Sequence, residues 1–327
     1  MVKSRKDLIM DIQNDRKSTL ICYIGGDRQN VSTRIAPDIL PIFFKHLNKF
    51  TPGQKIDLLL YTKGGDVHTA LRLVQLIYEF TDNFSVIVPN KAYSSGTLIC
   101  LGASELLMTK MADLSPIDPN ITSVFNPPDS GNPNANVPIN VEDVYAYFAV
   151  ARDVLKLREE DSIVEVLRQL TEMVHPLALG SIQRTYMLIR SIAKKLLLTH
   201  MDSSEEEKIN GIINYLTENL FSHSYMISRK EALENIGLPV IYPDKELERK
   251  IGKLFELYQT ELMLEQPFYP HECMDVDGKF FVCSGMIESK IRTDGYIFNG
   301  IVRKPDEQTF NCVNDVSIIR QGWDRME

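Results

Sequence analysis

An α/β fold built on a parallel sheet, followed by a helical layer and a small β-rich segment, is what the sequence predicts. Three observations point there. Short apolar runs at Leu20 to Ile24, Ile56 to Tyr61 and Phe84 to Val88 each precede a stretch of helical periodicity. Each run ends in residues suited to a tight turn, Gly25-Gly26-Asp27 and Gly64-Gly65-Asp66 after the first two. Alternation of strand and helix implies right-handed crossovers, hence parallel strands with helices packed outside.

Taken in order, Leu20 to Ile24 reads as a strand, and Ile35 to Phe50 as the helix after it, opened by Ala36-Pro37. Ile56 to Tyr61 is apolar at nearly every position, as a strand buried on both faces requires. Val67, Ala70, Leu71, Val74, Ile77 and Tyr78 then recur with a period near 3.6. Phe84 to Val88 is the third strand, Ser94-Ser95-Gly96 opens a helix that runs to about Gly102, and Leu106 to Thr109 is a fourth strand. The stretch from Asn126 to Pro138 is too rich in Pro and Asn for an element interior and is expected to be a mobile loop. Helical periodicity returns over 141–157, 163–174, 177–199 and 205–220. Beyond about residue 262, short alternating segments at 279–283 and 295–302 predict a β-rich appendage. The expected domains are therefore an N-terminal extension (1–17), an α/β domain (18–261) with a helical segment at 141–220, and the appendage (262–327).

Composition narrows the function classes. With 36 Lys and Arg against 44 Asp and Glu the net charge is −8, and no long basic run is present, so the electrostatic footprint of a nucleic-acid binder is missing. No apolar run approaches the about 20 residues needed to span a bilayer. The basic N-terminus lacks the apolar core of a signal peptide, so an unprocessed, cytoplasmic chain is expected. Five cysteines (Cys22, Cys100, Cys273, Cys283, Cys312) include no Cys-x-x-Cys pair, which argues for reduced thiols and no zinc site. No metal or organic cofactor is expected.

Two turns at the C-terminal ends of consecutive strands concentrate the chemistry, since parallel α/β sheets place ligands there. Paired glycines at Gly64-Gly65 can aim bare N–H groups at a developing oxyanion, although strand-Gly-Gly-helix is also ordinary turn chemistry. Ser94 and Ser95 sit where a strand gives way to a helix, so either hydroxyl is a candidate nucleophile or simply a helix cap. Gly96 permits close packing of that turn in both cases.

Ile56-Asp-Leu-Leu-Leu-Tyr-Thr-Lys-Gly-Gly, Ala92-Tyr-Ser-Ser-Gly-Thr-Leu-Ile-Cys-Leu-Gly-Ala and Leu114-Ser-Pro-Ile-Asp-Pro-Asn, in this order, resemble the Clp/crotonase superfamily, which includes ClpP and the signal peptide peptidase SppA. Within it the chain is most similar to the serine dehydrogenase proteinase type. Further likeness at His175-Pro-Leu-Ala-Leu-Gly-Ser, at Ser222-His-Ser-Tyr and at Glu231-Ala-Leu-Glu-Asn-Ile-Gly carries it over roughly residues 18–241. The resemblance implies a ClpP/crotonase-like spiral of ββα units and homo-oligomers. It also implies Ser94 as the nucleophile, with an oxyanion hole from Gly64 or Gly65 and the Ser95 N–H.

A serine needs a partner to accept its proton. Where ClpP-like enzymes carry a His the matching segment has Asp118, and the segment that would hold an SppA-like Lys has none. His223 is the preferred base, with Asp118 to orient it. His68, close to the glycine pair and able to contact substrate, and His175, at a helix start, stand as alternatives, while His46, His200 and His271 are assigned structural roles. The expectation is a serine peptidase or related acyl hydrolase acting on peptide or protein, its substrate laid along the strand edge at Gly64 to Val67. Two alternatives stand beside it. One is a catalytically silent oligomeric binding protein of the same fold, suggested by the missing His and Lys; the other is a crotonase-like enzyme acting on an acyl-CoA thioester.

Overall fold

The computed structural model describes residues 3–326 apart from 118–119, 122–124, 128–130, 133–134, 138, 221, 223 and 304–314. Much of the stretch from Asn126 to Pro138, expected to be a mobile loop, therefore lies outside the described residues.

Helix α1 (Arg5–Arg16) leads into β1 (Thr19–Gly25), α2 (Ile39–Leu47), β2 (Ile56–Tyr61), α3 (Val67–Tyr78), β3 (Phe84–Val88), β4 (Lys91–Ala92), α4 (Ser95–Leu101), β5 (Glu105–Met108) and β6 (Asp113–Leu114). A small hairpin, β7 (Asn120–Ile121) and β8 (Ile139–Asn140), precedes α5 (Val141–Ala149), which widens into a π-helical turn at Val150–Val154. The helical layer continues with α6 (Glu160–Met173), α7 (Pro176–Leu197) and α8 (Glu206–Glu218). Then come β9 (Ile227–Ser228), the single turn α9 (Arg229–Glu231), β10 (Val240–Ile241), α10 (Lys245–Glu261) and the short α11 (Pro270–Cys273). Three long strands close the chain: β11 (Lys279–Ser289), β12 (Arg292–Arg303) and β13 (Asp315–Arg325).

The α/β class expected from the sequence is what the structure shows. Eight strands form one sheet in the order β10-β5-β3-β2-β1-β11-β12-β13. The first five run parallel, and β11 joins β1 antiparallel, pairing Ile21 with Ser289 and Gly25 with Gly285. The β-rich end of the chain thus continues the central sheet. The physical reason is that β1, apolar on both faces, would otherwise leave its second edge of backbone N–H and C=O groups unpaired in the core.

Period-two alternation along the buried strands sends side chains to both faces. Leu20, Cys22 and Ile24 pack with Leu8, Ile9 and Ile12 of α1 and with Leu247, Ile251, Leu254, Phe255 and Tyr258 of α10. Ile21, Tyr23, Leu58, Leu60, Val86 and Val88 face the larger core formed with α2, α3, α4, α7 and α8. Residues 1–17, which the sequence sets apart as an extension, therefore supply a core helix. It is anchored by Arg16 Nε, which donates to Asp57 at 3.0 Å, and by Arg5 Nε, which donates to the buried Glu288 at 2.8 Å.

His46 of α2 is fully buried; its Nδ1 lies 2.9 Å from Ser289 Oγ and its Nε2 3.0 Å from Asp294 Oδ2. His200 Nε2 bonds the Leu101 carbonyl at 3.0 Å, and burial lowers the pKa of its ring. No helix among the described residues is long and apolar enough to cross a membrane.

Candidate active site

The serine turn is built by three neighbouring backbones. Thr62, just past β2, donates its N–H to Lys91 O and accepts from the Tyr93 N–H, both at 3.1 Å, so β4 is clamped to the end of β2. Ser94 follows with φ 53° and ψ −115°, a conformation that L residues rarely adopt. Its hydroxyl makes no capping bond to α4. The side chain therefore does not serve as a cap, and the backbone is held in a strained turn.

What holds that strain is Ser115, which lies after β6. Its Oγ accepts the Ser94 N–H at 2.7 Å and donates to the Pro116 carbonyl at 2.9 Å. Thr97 Oγ1 ties the same layers together, 2.9 Å from Ala92 O and 3.0 Å from Ser115 O, while accepting from the Ser115 N–H at 3.2 Å. Gly96 is dictated by packing, because a Cβ there would lie 2.5 Å from Thr62 Cγ2. The Ser95 hydroxyl is buried without a hydrogen-bond partner, and its N–H, as the first of α4, has no intrahelical acceptor.

The glycine turn meets the serine turn directly. Gly64 has φ +97°, and a Cβ on it would stand 2.9 Å from Ser94 Cβ and 3.2 Å from the Ser95 nitrogen. Its N–H donates to Thr62 Oγ1 at 2.9 Å, so within the glycine pair it is the Gly65 N–H that has no hydrogen bond among the described residues. Gly65, at φ +155°, is bridged to Ile35: a Cβ would fall 2.2 Å from Ile35 O. The bridge is made by the Ile35 N–H to Gly64 O at 3.0 Å and the Asp66 N–H to Ile35 O at 2.8 Å. The strand edge expected to receive a peptide near Gly64 to Val67 is therefore already paired on one side. Asp66 caps α3, accepting the Thr69 N–H at 2.6 Å.

A pocket of about 260 Å³ opens at Ser94, lined by Lys63, Tyr93, Ser94, Ser115, Ser224, Tyr225 and Met226. Sequence reasoning missed Ser115, Lys63 and the pair Tyr225 and Met226. The quoted motifs Thr62-Lys-Gly-Gly, Leu114-Ser-Pro and Ser222-His-Ser-Tyr identified their segments, without the bond from Ser115 to Ser94 or the placement of Lys63 and Tyr225 in the pocket.

His223 and Asp118 both lie outside the described residues. Their sequence neighbours Ser224 and Ser115 line the pocket. His68 is exposed on the first turn of α3 and does not line it. His175 caps α7, its Nδ1 accepting the Leu177 N–H at 3.1 Å, and its ring stacks on Phe125 at 5.0 Å. Neither is brought to Ser94. Among the described residues no group of three His, Cys, Asp or Glu side chains is placed to hold a metal ion.

Behind the pocket lies a charged knot. Asp27, beyond the end of β1, accepts the Tyr61 hydroxyl on Oδ1 at 2.6 Å, and on Oδ2 the ammonium groups of Lys91 at 2.6 Å and Lys63 at 3.2 Å. Burial pushes its carboxyl up, but the bonds from Lys91 and Tyr61 outweigh this and hold it below the usual carboxylate value.

Known proteins resemble the chain in sequence or in structure. Two uncharacterized proteins of Methanocaldococcus jannaschii are similar: one is 25% identical over 78% of this chain and 79% of its own length, the other 26% identical over 68% and 63%. The chain thus spans less than two thirds of the second relative. Among solved structures, a mutant of a membrane-bound stomatin-specific protease overlaps 71% of this chain and 85% of its own, at 14% identity and a TM-score of 0.39. A methylmalonyl CoA decarboxylase overlaps 57% and 82% at 16% identity and a TM-score of 0.23. The family resemblance announced by the glycine and serine turns is met by the part of the chain that holds both: residues 1–131 match the ClpP-like SDH-type serine proteinases.

Proposed function

We propose that this protein is a serine peptidase, or a closely related acyl hydrolase, that works through a covalent acyl-enzyme on Ser94. The observation that carries the proposal is the Ser94 turn itself: a non-glycine residue at φ 53° that lines a pocket and whose hydroxyl makes no capping bond. Ser94 Oγ attacks the scissile carbonyl carbon while its proton passes to His223. The oxyanion is met by the Ser95 N–H together with a donor from the Gly64-Gly65 turn. The protonated base then delivers its proton to the leaving amine, and water repeats the sequence to release the acyl group. The assignment of His223 is supported by the placement of Ser224 in the pocket. That of Asp118 is supported by the Ser115-Pro116-Ile117 segment leading to it, which begins on the Ser94 N–H. Peptides and proteins are the proposed substrates.

Fluorophosphonate labelling read by intact mass and peptide mapping tests this. Wild type is expected to take one adduct, on Ser94, with none in Ser94→Ala, and His223→Ala is expected to slow labelling by on the order of 100-fold or more. An adduct on another residue would overturn the assignment. A wild type that takes none would favour a catalytically silent binding protein instead.

We also infer that the chain forms homo-oligomers through α6. None of its residues is buried, and Ile163, Val166, Leu167, Leu170 and Met173 recur at three- and four-residue spacing, with Leu167 44% and Met173 78% exposed. Glu165, Arg168 and Glu172 pair along the other side of the helix. Such a stripe needs a cover, and a second copy of the same stripe supplies one. Sedimentation is expected to find wild type heavier than the 37.3 kDa monomer, and the double variant Leu167→Glu, Met173→Glu close to it. A monomeric wild type would refute this.

A further inference from the structure

Lys63 is the one charged side chain among the described residues that line the Ser94 pocket; Tyr93, Ser115, Ser224, Tyr225 and Met226 are all neutral. It is fixed from behind. Asp27, whose side chain is only 8% exposed, holds Lys63 and Lys91 on the same carboxylate oxygen. Lys91 is the inner partner, 20% exposed, with its ammonium 5.2 Å from the centre of the Tyr61 ring, whereas Lys63 is 57% exposed at the pocket. Two ammonium groups on one carboxylate leave a positive charge unbalanced among the described residues. Lys63 is the member that can offer donors at the pocket, because it is the more exposed of the two and Asp27 occupies only one of its three.

The charge is suited to recognition rather than to proton abstraction. An ammonium has no acceptor for the serine proton, and Lys63 is bonded to Asp27 and not to Ser94. Against a net charge of −8 for the whole chain, a fixed cation beside the nucleophile is the local feature that favours an anionic group there.

We propose that Lys63 is a specificity residue that binds a carboxylate of the substrate close to the scissile bond. The carboxylate comes from an acidic side chain or from a free C-terminus. The proposal rests on Ser94 as the nucleophile, and it adds a substrate class to that site: peptides that present an anion to a pocket otherwise lined by tyrosine, methionine and serine.

Two matched pairs of fluorophosphonate probes test it. In the first, a glutamyl-type side chain is compared with its glutamine-type amide; in the second, a peptide probe with a free C-terminal carboxylate is compared with its C-terminal amide. The readout is the ratio of labelling rates within each pair, so each protein serves as its own control. In wild type one pair is expected to favour the carboxylate by about fivefold, and which pair does so identifies the source. The ratio should shrink as salt is raised from low ionic strength toward 1 M. It should fall to about one in Lys63→Met and be restored in Lys63→Arg. Ratios near one in both pairs of a well-labelled wild type would overturn the role of Lys63 while leaving Ser94 standing, as would a preference that survives in Lys63→Met. A wild type that no probe labels would overturn both.

Discussion

Gly64→Ala is expected to slow labelling of Ser94 by on the order of 100- to 1000-fold, the scale set by loss of an oxyanion donor. The new methyl group would stand 2.8 Å from Tyr93 O, 2.9 Å from Ser94 Cβ and 3.2 Å from the Ser95 nitrogen. All three atoms belong to the serine turn. Thr62 and Ile35 pin the glycine turn from its other side, so the clash is relieved mainly by moving the nucleophile and its adjacent N–H. A side chain at φ +97° costs about 1 to 2 kcal/mol besides. Gly53→Ala is the control. Gly53 has a similar φ of +81°, but a methyl group there would meet nothing within 4 Å, so it bears the backbone cost alone. It is expected to lower stability by about 1 kcal/mol and to label at the wild-type rate. Wild-type labelling in Gly64→Ala would show that the two turns do not act together.

Both turns were legible in the sequence because each follows a strand that is itself legible. Ile56 to Tyr61 and Phe84 to Val88 are apolar at nearly every position, and the strands occupy those same bounds because both of their faces are covered. Ser115 was not legible as a partner of Ser94: a serine before a proline has no local pattern that reports a bond to a backbone N–H elsewhere in the fold. Helices α1 and α10 escaped for another reason. Their buried residues are a narrow stripe within highly charged segments, and several of those charges are consumed by tertiary pairing, as with Arg16 on Asp57 and Lys250 on Asp15. The strand β13 was hidden by Ser317, Arg320 and Gln321, which interrupt its apolar pattern at the outer edge of the sheet, where one side of the strand faces solvent. The proton acceptor was the least legible part, since a base is defined by reach across the fold and not by sequence spacing.

Asp294→Ala is expected to destabilise the fold by about 3 to 5 kcal/mol, the cost of removing one member of a buried charged network. Ser289, His46 and Asp294 have the composition of a catalytic triad, but each is at most 1% exposed, which bars substrate and makes the cluster a lock. It fastens α2 to the hairpin of β11 and β12. A carboxylate can only accept, so His46 Nε2 carries the proton shared with Asp294, and the Arg292 guanidinium donates to both Asp294 oxygens at 2.5 Å. Truncation to alanine strands all of these donors. Asp294→Asn keeps one acceptor oxygen and is expected to cost less. Burial pushes the Asp294 carboxyl up, but the bonds from His46 and Arg292 outweigh it, so its folded pKa lies below the ordinary value. A carboxyl depressed in this way contributes its full stability above its unfolded pKa, about 4, and loses it as pH falls through the folded value. Thermal unfolding should therefore place Asp294→Ala roughly 5 °C below wild type at pH 7, with the gap narrowing below about pH 4. Ser94 labelling below the melting range should persist, because neither Asp294 nor His46 lines the Ser94 pocket. A gap that is small at pH 7, or that stays constant as the solution is acidified, would mean that the lock is not held by the Asp294 charge.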